Sequence, residues 1–423
     1  MLPLHTLREN PDSIAQALGK RGIDAQPMIQ EVLELDKQRR TLQTQLDATL
    51  AEANTLSREI GNLFKAGKSE EAQELKARSA KLKESSKALT ESLNDAADTL
   101  QQALYQVPNA PHTSVPAGTD EEDNEVVFTS GDLPQAGGSA LPHWELAAQY
   151  DLIDFELGVK ITGAGFPVYK GKCARLQRAL VSFFLDRNTE AGYQEVQVPH
   201  LVNEASGLGT GQLPDKEGQM YELRDDKLFL IPTAEVPVTN MLRDELMDLG
   251  DLPLCYTAYT PCFRREAGSY GAHVRGLNRL HQFDKVEIVR VEEPGNSYAA
   301  LEQMVEHVKG LLGELGLPYR ILRLCGGDLG FTSALTYDFE VWSAAQERWL
   351  EVSSVSNFEA FQANRLKLRY RDENNKPQLA HTLNGSALAL PRILACILED
   401  YQDESGIRIP DVLVPYTGFD RIE

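Results

Sequence analysis

The sequence contains little cysteine, and its cysteines form no pattern for a disulfide framework or a zinc site. There are five, an odd number, and none belongs to a CxxC pair or lies at zinc-ligand spacing from a histidine. We therefore expect reduced thiols in the core and no structural disulfide. These cysteines are Cys173, Cys255, Cys262, Cys325 and Cys396.

The sequence also lacks a long apolar segment. No run approaches the ~18 apolar residues of a membrane-spanning helix, and the first residues, MLPLHTLRENPD, have neither the apolar region nor the cleavage site of a secretory signal. A cytoplasmic location without membrane contact is expected. With 423 residues and 42% hydrophobic content, the chain can bury one or two large cores, and its length favours two or three domains.

The sequence has fewer basic than acidic residues. It contains 42 lysines and arginines and 63 aspartates and glutamates, which gives a net charge of −21. Non-specific binding to nucleic acid depends mostly on neutralising phosphates. The composition therefore excludes a protein that coats nucleic acid indiscriminately. Any nucleic-acid contact must be local.

Apolar residues repeat with heptad spacing in two segments near the N-terminus. Nine of eleven seam positions between residues 28 and 63 are apolar, and a second seam runs from residue 72 to residue 103. A short glycine turn joins the segments and predicts an antiparallel helical hairpin, with Ser69 as the cap of the return helix. The stretch GNLFKAGKS is one residue too long for a P-loop and follows a helix, so it is interpreted as the hairpin turn.

The predicted hairpin fits two roles. A long coiled coil is often a dimerisation element, but 36 residues of helix extend ~54 Å, which also suits contact at a distance. Residues 58–87 carry eight basic and five acidic side chains, a local excess of positive charge on an acidic protein. That excess favours contact with a phosphate backbone.

The remainder of the chain predicts an α+β domain. Prolines at positions 108, 111 and 116 end the hairpin, and the acidic stretch GTDEEDNEVV follows. Short β-rich runs then follow one another with interspersed helices, which favours a mostly antiparallel sheet flanked by helices. The predicted organisation is a helical arm over residues 1–108, a linker over 109–125 and a catalytic domain over 126–423.

One predicted β-hairpin brings chemically active side chains together. Within CFRRE, strand alternation places Arg264 and Glu266 on one face and Arg265 on the other. On the return strand, a single face carries His281, Phe283, Lys285 and Glu287. A guanidinium can grip a phosphate and a ring can stack on a base, so a nucleotide site is one interpretation. A surface hairpin with exposed ion pairs is the other.

Further candidates lie downstream. Glu351, Ser353 and Ser354 offer oxygen ligands of the type that Mg²⁺ prefers. Pro391 suits the first turn of a helix, and Arg392 follows it at once. A cation in a first turn opposes the helix dipole, so a nearby anion would compensate. A solvent-exposed arginine remains the alternative interpretation.

Several segments, in order, resemble the bacterial-type seryl-tRNA synthetases, a family of class II aminoacyl-tRNA synthetases. The resemblance covers essentially the whole chain. Beside the N-terminal hairpin, the matching segments are IPTAEVPVTN, TPCFRREAGSYGAHVRGLNRLHQFDKVE, TYDFEVW, EVSSVSNFEAFQANR and HTLNGSALALPRILACILE. Leu335 departs from the family pattern, which usually has lysine there.

The resemblance implies a two-step reaction. Serine and ATP, with Mg²⁺, form seryl-adenylate and pyrophosphate, and the seryl group then passes to the 3′ end of tRNA-Ser and, by extension, of tRNA-Sec. The hairpin would grip the long variable arm of tRNA-Ser, and residues 190–214 would form a homodimer interface. A catalytically inactive tRNA-binding relative is the alternative, against which the retained charged residues argue.

Site residues follow from the resemblance, position by position. The catalytic arginines are Arg264 and Arg392. The ATP-binding residues are Arg264, Arg265, Glu266, Phe283, Glu351, Val352, Ser353, Ser354 and Arg392. The serine-binding residues are Thr233, Ala234, Glu235, Arg264, Glu287, Asn384 and Ser386, with Thr233 and Glu235 expected on one strand. The Mg²⁺ ligands are Glu351 and Ser354, which strict alternation would separate, so a β-bulge or strand end is predicted between them.

Overall fold

The computed structural model describes residues 1–131, 133, 140–266 and 275–423. Its helices are α1 (Leu4–Glu9), α2 (Pro11–Gly19), α3 (Gln26–Lys65), α4 (Ser69–Gln106), α5 (His143–Gln149), α6 (Phe155–Ile161), α7 (Gly171–Glu190), α8 (Glu204–Thr210), α9 (Glu235–Asn240), α10 (Ser297–Leu315), α11 (Ala360–Leu366), α12 (Leu390–Asp400) and α13 (Val414–Thr417). The glycine-rich residues 267–274 of the family-like segment lie outside the described residues.

The strands are β1 (Glu125–Ser130), β2 (Ile153–Asp154), β3 (Val168–Tyr169), β4 (Gln194–Glu195), β5 (Leu201–Asn203), β6 (Glu222–Leu223), β7 (Leu228–Leu230), β8 (Leu246–Asp248), β9 (Leu254–Phe263), β10 (Gln282–Glu292), β11 (Tyr319–Arg323), β12 (Leu335–Ser343), β13 (Arg348–Asn357), β14 (Arg369–Arg371), β15 (Pro377–Leu379), β16 (His381–Ala389), β17 (Gln402–Asp403), β18 (Gly406–Arg408) and β19 (Arg421–Ile422).

The described residues form two compact units. The helical unit comprises Leu2–Gly19 and Asp24–Pro108, and the sheet unit comprises Met1, Lys20–Ile23 and Asn109–Glu423. No helix in the described part of the chain is both long and apolar enough to cross a bilayer. All five cysteines are free thiols, and four of them are buried.

Helices α3 and α4 pack against each other along their length and confirm the predicted hairpin. Apolar seam residues such as Val32, Leu46 and Leu100 are buried between them. Gly67 takes a positive φ of 75° in the connecting turn, a conformation that glycine adopts without a steric penalty. The GNLFKAGKS stretch therefore comprises the end of α3, the turn and the first residue of α4, and it forms the predicted connection of the hairpin.

The predicted cap of α4 is wrong. Ser69 is the first helical residue, and Lys68 occupies the cap position without a side-chain hydrogen bond. The turn explains the shift, because the backbone N–H of Lys68 still bonds to the Leu63 carbonyl at the end of α3.

A buried carboxylate near the base of α3 was not anticipated. Asp36 is fully buried and accepts hydrogen bonds from Arg8, Arg39 and Arg40 at 2.8–3.2 Å. Burial alone would raise the pKa of Asp36, but these hydrogen bonds outweigh burial and lower it. The cluster is a well-partnered charge group that fixes α1 against α3.

An eight-stranded sheet forms the centre of the sheet unit, with strand order β1-β11-β12-β13-β16-β10-β9-β4. All neighbours are antiparallel except β4 and β9 at one edge. Helices α7, α10 and α12 pack on the sheet and bury a large apolar core that includes Phe183 and Phe339. The α+β fold with a mostly antiparallel sheet is confirmed. Leu335, the departure from the family pattern, is 4% exposed in this core.

Candidate active site

A cavity of about 460 Å³ opens over the middle of the large sheet. Strands β10, β13 and β16, the segment after β9 and the first turns of α9 and α12 supply its walls. The charged and aromatic side chains that line it are Glu217, Glu235, Arg264, Glu266, Arg279, Phe283, Lys285, Glu287, Glu351, Phe358 and Arg392. Arg264, Phe283 and Glu287 therefore face one cavity, as the hairpin pattern predicts.

The β9–β10 pairing produces this shared face. Cys262 lies opposite Phe283 and Ala258 lies opposite Glu287, so the predicted hairpin is confirmed. Strand β9 ends at Phe263, but the backbone N–H of Arg264 still donates to the His281 carbonyl at 2.9 Å. The predicted face does not extend to His281.

The ring of His281 turns away from the cavity. It stacks on Phe166, with ring centroids 5.5 Å apart, and its Nδ1 lies 2.9 Å from the Tyr221 hydroxyl. Strand β10 begins only at Gln282, so strict alternation does not govern the residue before it. His281 is a packing residue here and not a candidate base.

The end of the cavity beside Phe283 is cationic. The guanidinium carbon of Arg264 lies 5.3 Å from the Phe283 ring centroid, and its Nε donates to the Pro232 carbonyl at 3.4 Å. Among the residues that the structure describes, no carboxylate lies within 4 Å of this guanidinium. Its charge is therefore open to an incoming anion.

Arg392 contributes the second cation. It follows Pro391 in the first turn of α12, as predicted, and donates to the carbonyls of Asn278 at 3.1 Å and Glu351 at 2.6 Å. The Glu351 carboxylate lies 3.5 Å from the same guanidinium and is half exposed. These backbone contacts hold the arginine at the cavity wall while its weakly paired charge can still meet a phosphate.

Glu266 and Arg265 are positioned through Gln219. The backbone N–H groups of Arg265 and Glu266 donate to the main-chain and side-chain oxygens of Gln219 at 2.8 and 3.1 Å. The Glu266 carboxylate pairs with Arg279 in the cavity wall. Arg265 points elsewhere, with its guanidinium carbon 5.8 Å from the Tyr221 ring centroid.

The opposite end of the cavity is acidic. Glu287 is 2% exposed, pairs with Lys285 and accepts a hydrogen bond from the Thr233 hydroxyl at 2.9 Å. Glu235 is also buried and accepts from the Gln362 side chain at 2.6 Å. Burial, followed by the charge of Glu287, raises the pKa of Glu235 to about 7. Glu235 and Glu287 provide two carboxylates for the single ammonium group of Lys285, so the acidic end can attract a second ammonium group.

Strand β13 carries a β-bulge at the predicted place. Phe339 of β12 lies opposite Ser353 and Glu340 opposite Glu351, which leaves Val352 as the extra residue. Glu351 and Ser354 consequently share a face, and the predicted irregularity is confirmed. The Ser353 hydroxyl bonds instead to the Ser386 carbonyl at 2.5 Å and ties β13 to β16.

Comparison with known proteins decides the family. Residues 1–111 match the model of the seryl-tRNA synthetase N-terminal domain, and residues 220–401 match that of the class II tRNA synthetase core domain (G, H, P, S and T). A serine–tRNA ligase from Salinibacter ruber is 53% identical over 424 residues, which cover 100% of this chain and 99% of that protein. The chain belongs to the seryl-tRNA synthetase family. A serine–tRNA ligase from Akkermansia muciniphila is 47% identical over 100% of this chain and 99% of its own length.

Solved structures agree. The seryl-tRNA synthetase of Pyrococcus horikoshii complexed with ATP superposes with a TM-score of 0.92 at 35% identity, covering 100% of this chain and 99% of that one. The cytoplasmic serine–tRNA ligase of Naegleria fowleri in complex with AMP gives a TM-score of 0.88 at 26% identity, with the same coverage of both chains. The likeness to these seryl-tRNA synthetase structures thus extends across the whole chain.

Most predicted site residues line the cavity. They are Thr233, Glu235, Arg264, Glu266, Phe283, Glu287, Glu351, Val352, Ser353, Ser354, Asn384, Ser386 and Arg392. Ala234 instead packs in a small apolar cluster with Val238 and Val289. Arg265 also lies outside the described lining. A place in the cavity wall does not test a binding role, so the roles assigned to all of these residues stay predictions.

One local prediction about the synthetase is wrong. Thr233 and Glu235 do not lie on a strand, because Ala234 already has helical dihedral angles and Glu235 begins α9. The backbone N–H of Glu235 lies 3.3 Å from the Thr233 hydroxyl oxygen, which caps this turn. Both side chains still reach the acidic end of the cavity, but through a strand-to-helix turn.

Sequence reasoning missed several positioning residues of the synthetase. Gln219 holds the Arg265–Glu266 backbone, Gln362 bonds to Glu235, and Asn278 accepts from Arg392. None lies in a periodic pattern beside the residue that it supports. The position of Lys285 could be predicted, since strand alternation places it on the same face as Glu287. The structure shows in addition that the two side chains form an ion pair.

Proposed function

We propose that the protein activates serine with ATP and transfers the seryl group to tRNA-Ser, as a serine–tRNA ligase. The observation that carries this proposal is the single cavity with one acidic and one cationic end. Phe283 and Glu287 are four residues apart on β10, about 13 Å along the strand. A base, a ribose and a phosphate fit between a stacking ring and an acidic amino-acid pocket at that separation.

The acidic end suits serine. Its ammonium group would be attracted by Glu235 and Glu287, while Thr233 and Ser386 supply polar partners for its hydroxyl. The serine carboxylate would then lie toward Arg264 and the α-phosphate, where reaction depends mainly on positioning and charge stabilisation. A buried site built to bond a hydroxyl rejects an analogue without one by ~10⁴-fold or more, so alanine should be excluded.

Mg²⁺ is part of the proposal, and the donor set fits it. Glu351 and Ser354 place two oxygen donors on one face of β13, and the neighbouring Asp338 has a buried Oδ1 without a hydrogen-bond partner among the described residues. Within the same residues, no cluster of three acidic, histidine or cysteine side chains forms a complete metal cage. Mg²⁺ is usually held by one or two carboxylates together with substrate phosphates, whose charge it neutralises.

We expect Glu351→Gln to raise the Mg²⁺ concentration for half-maximal activity by ~10-fold or more, because Glu351 is the carboxylate of the two proposed ligands and Ser354 is neutral. The measurement is a Mg²⁺ titration of ATP–pyrophosphate exchange. Glu340→Gln is the matched control, since Glu340 lies opposite Glu351 but pairs with Arg320 at 2.5 Å, outside the described cavity lining. Equal Mg²⁺ dependence in the two variants would rule out Glu351 as a ligand.

The arm and the subunit arrangement complete the proposal. The cationic distal part of the α3–α4 hairpin suits the backbone of the long variable arm of tRNA-Ser, and tRNA-Sec shares that type of arm. A homodimer through residues 190–214 is supported by their resemblance to the family interface motif and by Leu201, an apolar side chain that is 38% exposed. Because ribosomes consume charged tRNA, the proposed location is the cytoplasm.

Serine-dependent exchange between ATP and pyrophosphate tests the activity. Purified protein with Mg²⁺ should catalyse exchange with serine and not with alanine. The alternative, an inactive relative that only binds tRNA, predicts no exchange with any amino acid. The charged groups of the cavity speak against it, because such a protein has no need of Arg264, Glu287 and Arg392 together.

A further inference from the structure

A buried histidine stands behind the nucleotide end of the cavity. His143, the first residue of α5, is fully buried, and its Nδ1 lies 2.7 Å from Oε1 of Glu399 on α12. The backbone N–H of His143 donates to the same oxygen at 3.0 Å, and the Ser343 hydroxyl donates to the other carboxylate oxygen. Burial alone would raise the pKa of Glu399, but the hydrogen bonds from His143 and Ser343 outweigh it and lower the pKa.

The other ring nitrogen of His143 holds a backbone segment. Its Nε2 accepts a hydrogen bond from the main-chain N–H of Leu277 at 2.8 Å. Because Nε2 accepts and Nδ1 faces a carboxylate, the partners select the neutral ring with its proton on Nδ1. Glu399 therefore fixes the tautomer that lets His143 receive the Leu277 N–H.

The held segment belongs to the cavity wall. Leu277, Asn278 and Arg279 line the cavity, where the Asn278 carbonyl accepts from Arg392 and Arg279 pairs with Glu266. Gly276 passes so close to the histidine that an added Cβ would lie 2.2 Å from Nε2, and its φ is +67°. The backbone thus approaches the ring as closely as only glycine permits.

We propose that His143 and Glu399 are positioning residues for ATP. They fix residues 276–279 so that Asn278 and Arg279 orient Arg392 and Glu266 toward the nucleotide. His143 itself is not part of the cavity lining, so it acts through residues 276–279. The proposal rests on the proposed function, since it names the residues that shape the ATP side of the same site.

Two substitutions of His143 separate positioning from packing. Glutamine can place an oxygen near the Nε2 position and accept from Leu277, whereas asparagine reaches only the Nδ1 position and leaves that buried N–H unpaired. An unpaired buried donor costs about 1–3 kcal/mol, which is roughly 5-fold to 150-fold in affinity. We expect His143→Asn to weaken ATP binding by about 10-fold or more, and His143→Gln to stay within about 3-fold of the wild type.

For each variant, calorimetry measures the Kd for ATP in the presence of Mg²⁺ and, separately, the Kd for serine. The melting temperature of each variant is measured as well. Serine binding should change by less than about 2-fold in both variants. Equal ATP affinities for the glutamine and asparagine variants, or parallel losses for ATP and serine, would overturn the proposal. If His143→Asn fails to fold, Ser343→Ala is the second variant, because it removes the hydrogen bond that the Ser343 hydroxyl donates to Glu399. An unchanged ATP affinity in Ser343→Ala would count against the proposal.

Calorimetry also keeps this inference separate from the proposed function. Binding of ATP does not require turnover, so a wild-type protein that binds ATP without serine-dependent exchange would contradict the proposed activity alone. A wild-type protein active in exchange, whose glutamine and asparagine variants bind ATP equally, would contradict the role of His143 alone.

Discussion

Replacing Arg264 by alanine is expected to lower serine-dependent ATP–pyrophosphate exchange by at least about 10²-fold to 10³-fold, the usual effect of removing one group that stabilises developing charge. Arg264 has no carboxylate within 4 Å among the described residues and rests against Phe283, so its charge is directed at the ligand. Its other contact is a 3.4 Å hydrogen bond to the Pro232 carbonyl. Loss of these weak contacts should leave the melting temperature nearly unchanged.

A matched arginine provides the control for this substitution. The guanidinium of Arg187 also lies over an aromatic ring, 5.1 Å from the Phe183 centroid, but outside the described cavity lining, and unlike Arg264 it pairs with Glu190 and Glu314. Arg187→Ala should keep exchange activity within about 2-fold, although it removes a cation–π interaction of similar worth. A loss of only about 2-fold in Arg264→Ala would contradict a catalytic role for that residue.

Strand alternation was sufficient to predict the centre of the site. The common face of Phe283, Lys285 and Glu287 follows from a period of two residues, and β10 is long and regular enough to obey it. The bulge at Val352 was predictable only with the family resemblance, which implies that Glu351 and Ser354 act together, because the two can share a face only if the strand gains one residue. In both places local backbone geometry alone decides where the side chains point.

Alternation failed where strands end. His281 precedes β10 and turns toward Phe166, and Glu266 follows β9 with a positive φ of 48°. At Glu235 the β-branched residues nearby favoured a strand, but the chain begins a helix whose first turn packs against β10. Propensity is a weak guide at such boundaries, since tertiary contacts override it.

The supports behind the site could not be predicted from the sequence. His143 acts on Leu277 and is held by Glu399, residues separated from it by 134 and 256 positions. No periodic pattern connects positions so far apart, and a lone histidine before an apolar helix carries no signal of its own. Only the packing of α5 and α12 at the back of the sheet brings the three together.

Shortening the hairpin is expected to separate the two steps of the reaction. Replacing residues 47–87 by Gly-Ser-Gly removes the cationic tip but keeps the buried Asp36 cluster and the base of both helices. The Glu52–Arg78 ion pair fixes the register of the hairpin, so the chain can be rejoined between paired positions of α3 and α4. Exchange activity should stay within about 2-fold, because the cavity lies entirely in the sheet unit.

The KM for tRNA-Ser in that variant should rise by about 100-fold, equivalent to ~2.7 kcal/mol of binding free energy. The structure describes every residue of the helical unit. Within that unit, six of the eight basic side chains at the tip are exposed and have no carboxylate within 4 Å. They are Arg58, Lys65, Lys76, Lys81, Lys83 and Lys87.

Removing one side chain that binds a phosphate should also reduce the slope of log affinity against log salt by about 1. Lys81→Gln with Lys83→Gln should therefore flatten the salt dependence by about 2, whereas Lys37→Gln, near the base of α3, should leave it unchanged. Unaltered tRNA charging by the shortened protein would contradict tRNA binding by the hairpin and leave it as a spacer or a dimer contact, because a tip that binds phosphates cannot be removed without weakening the affinity for tRNA.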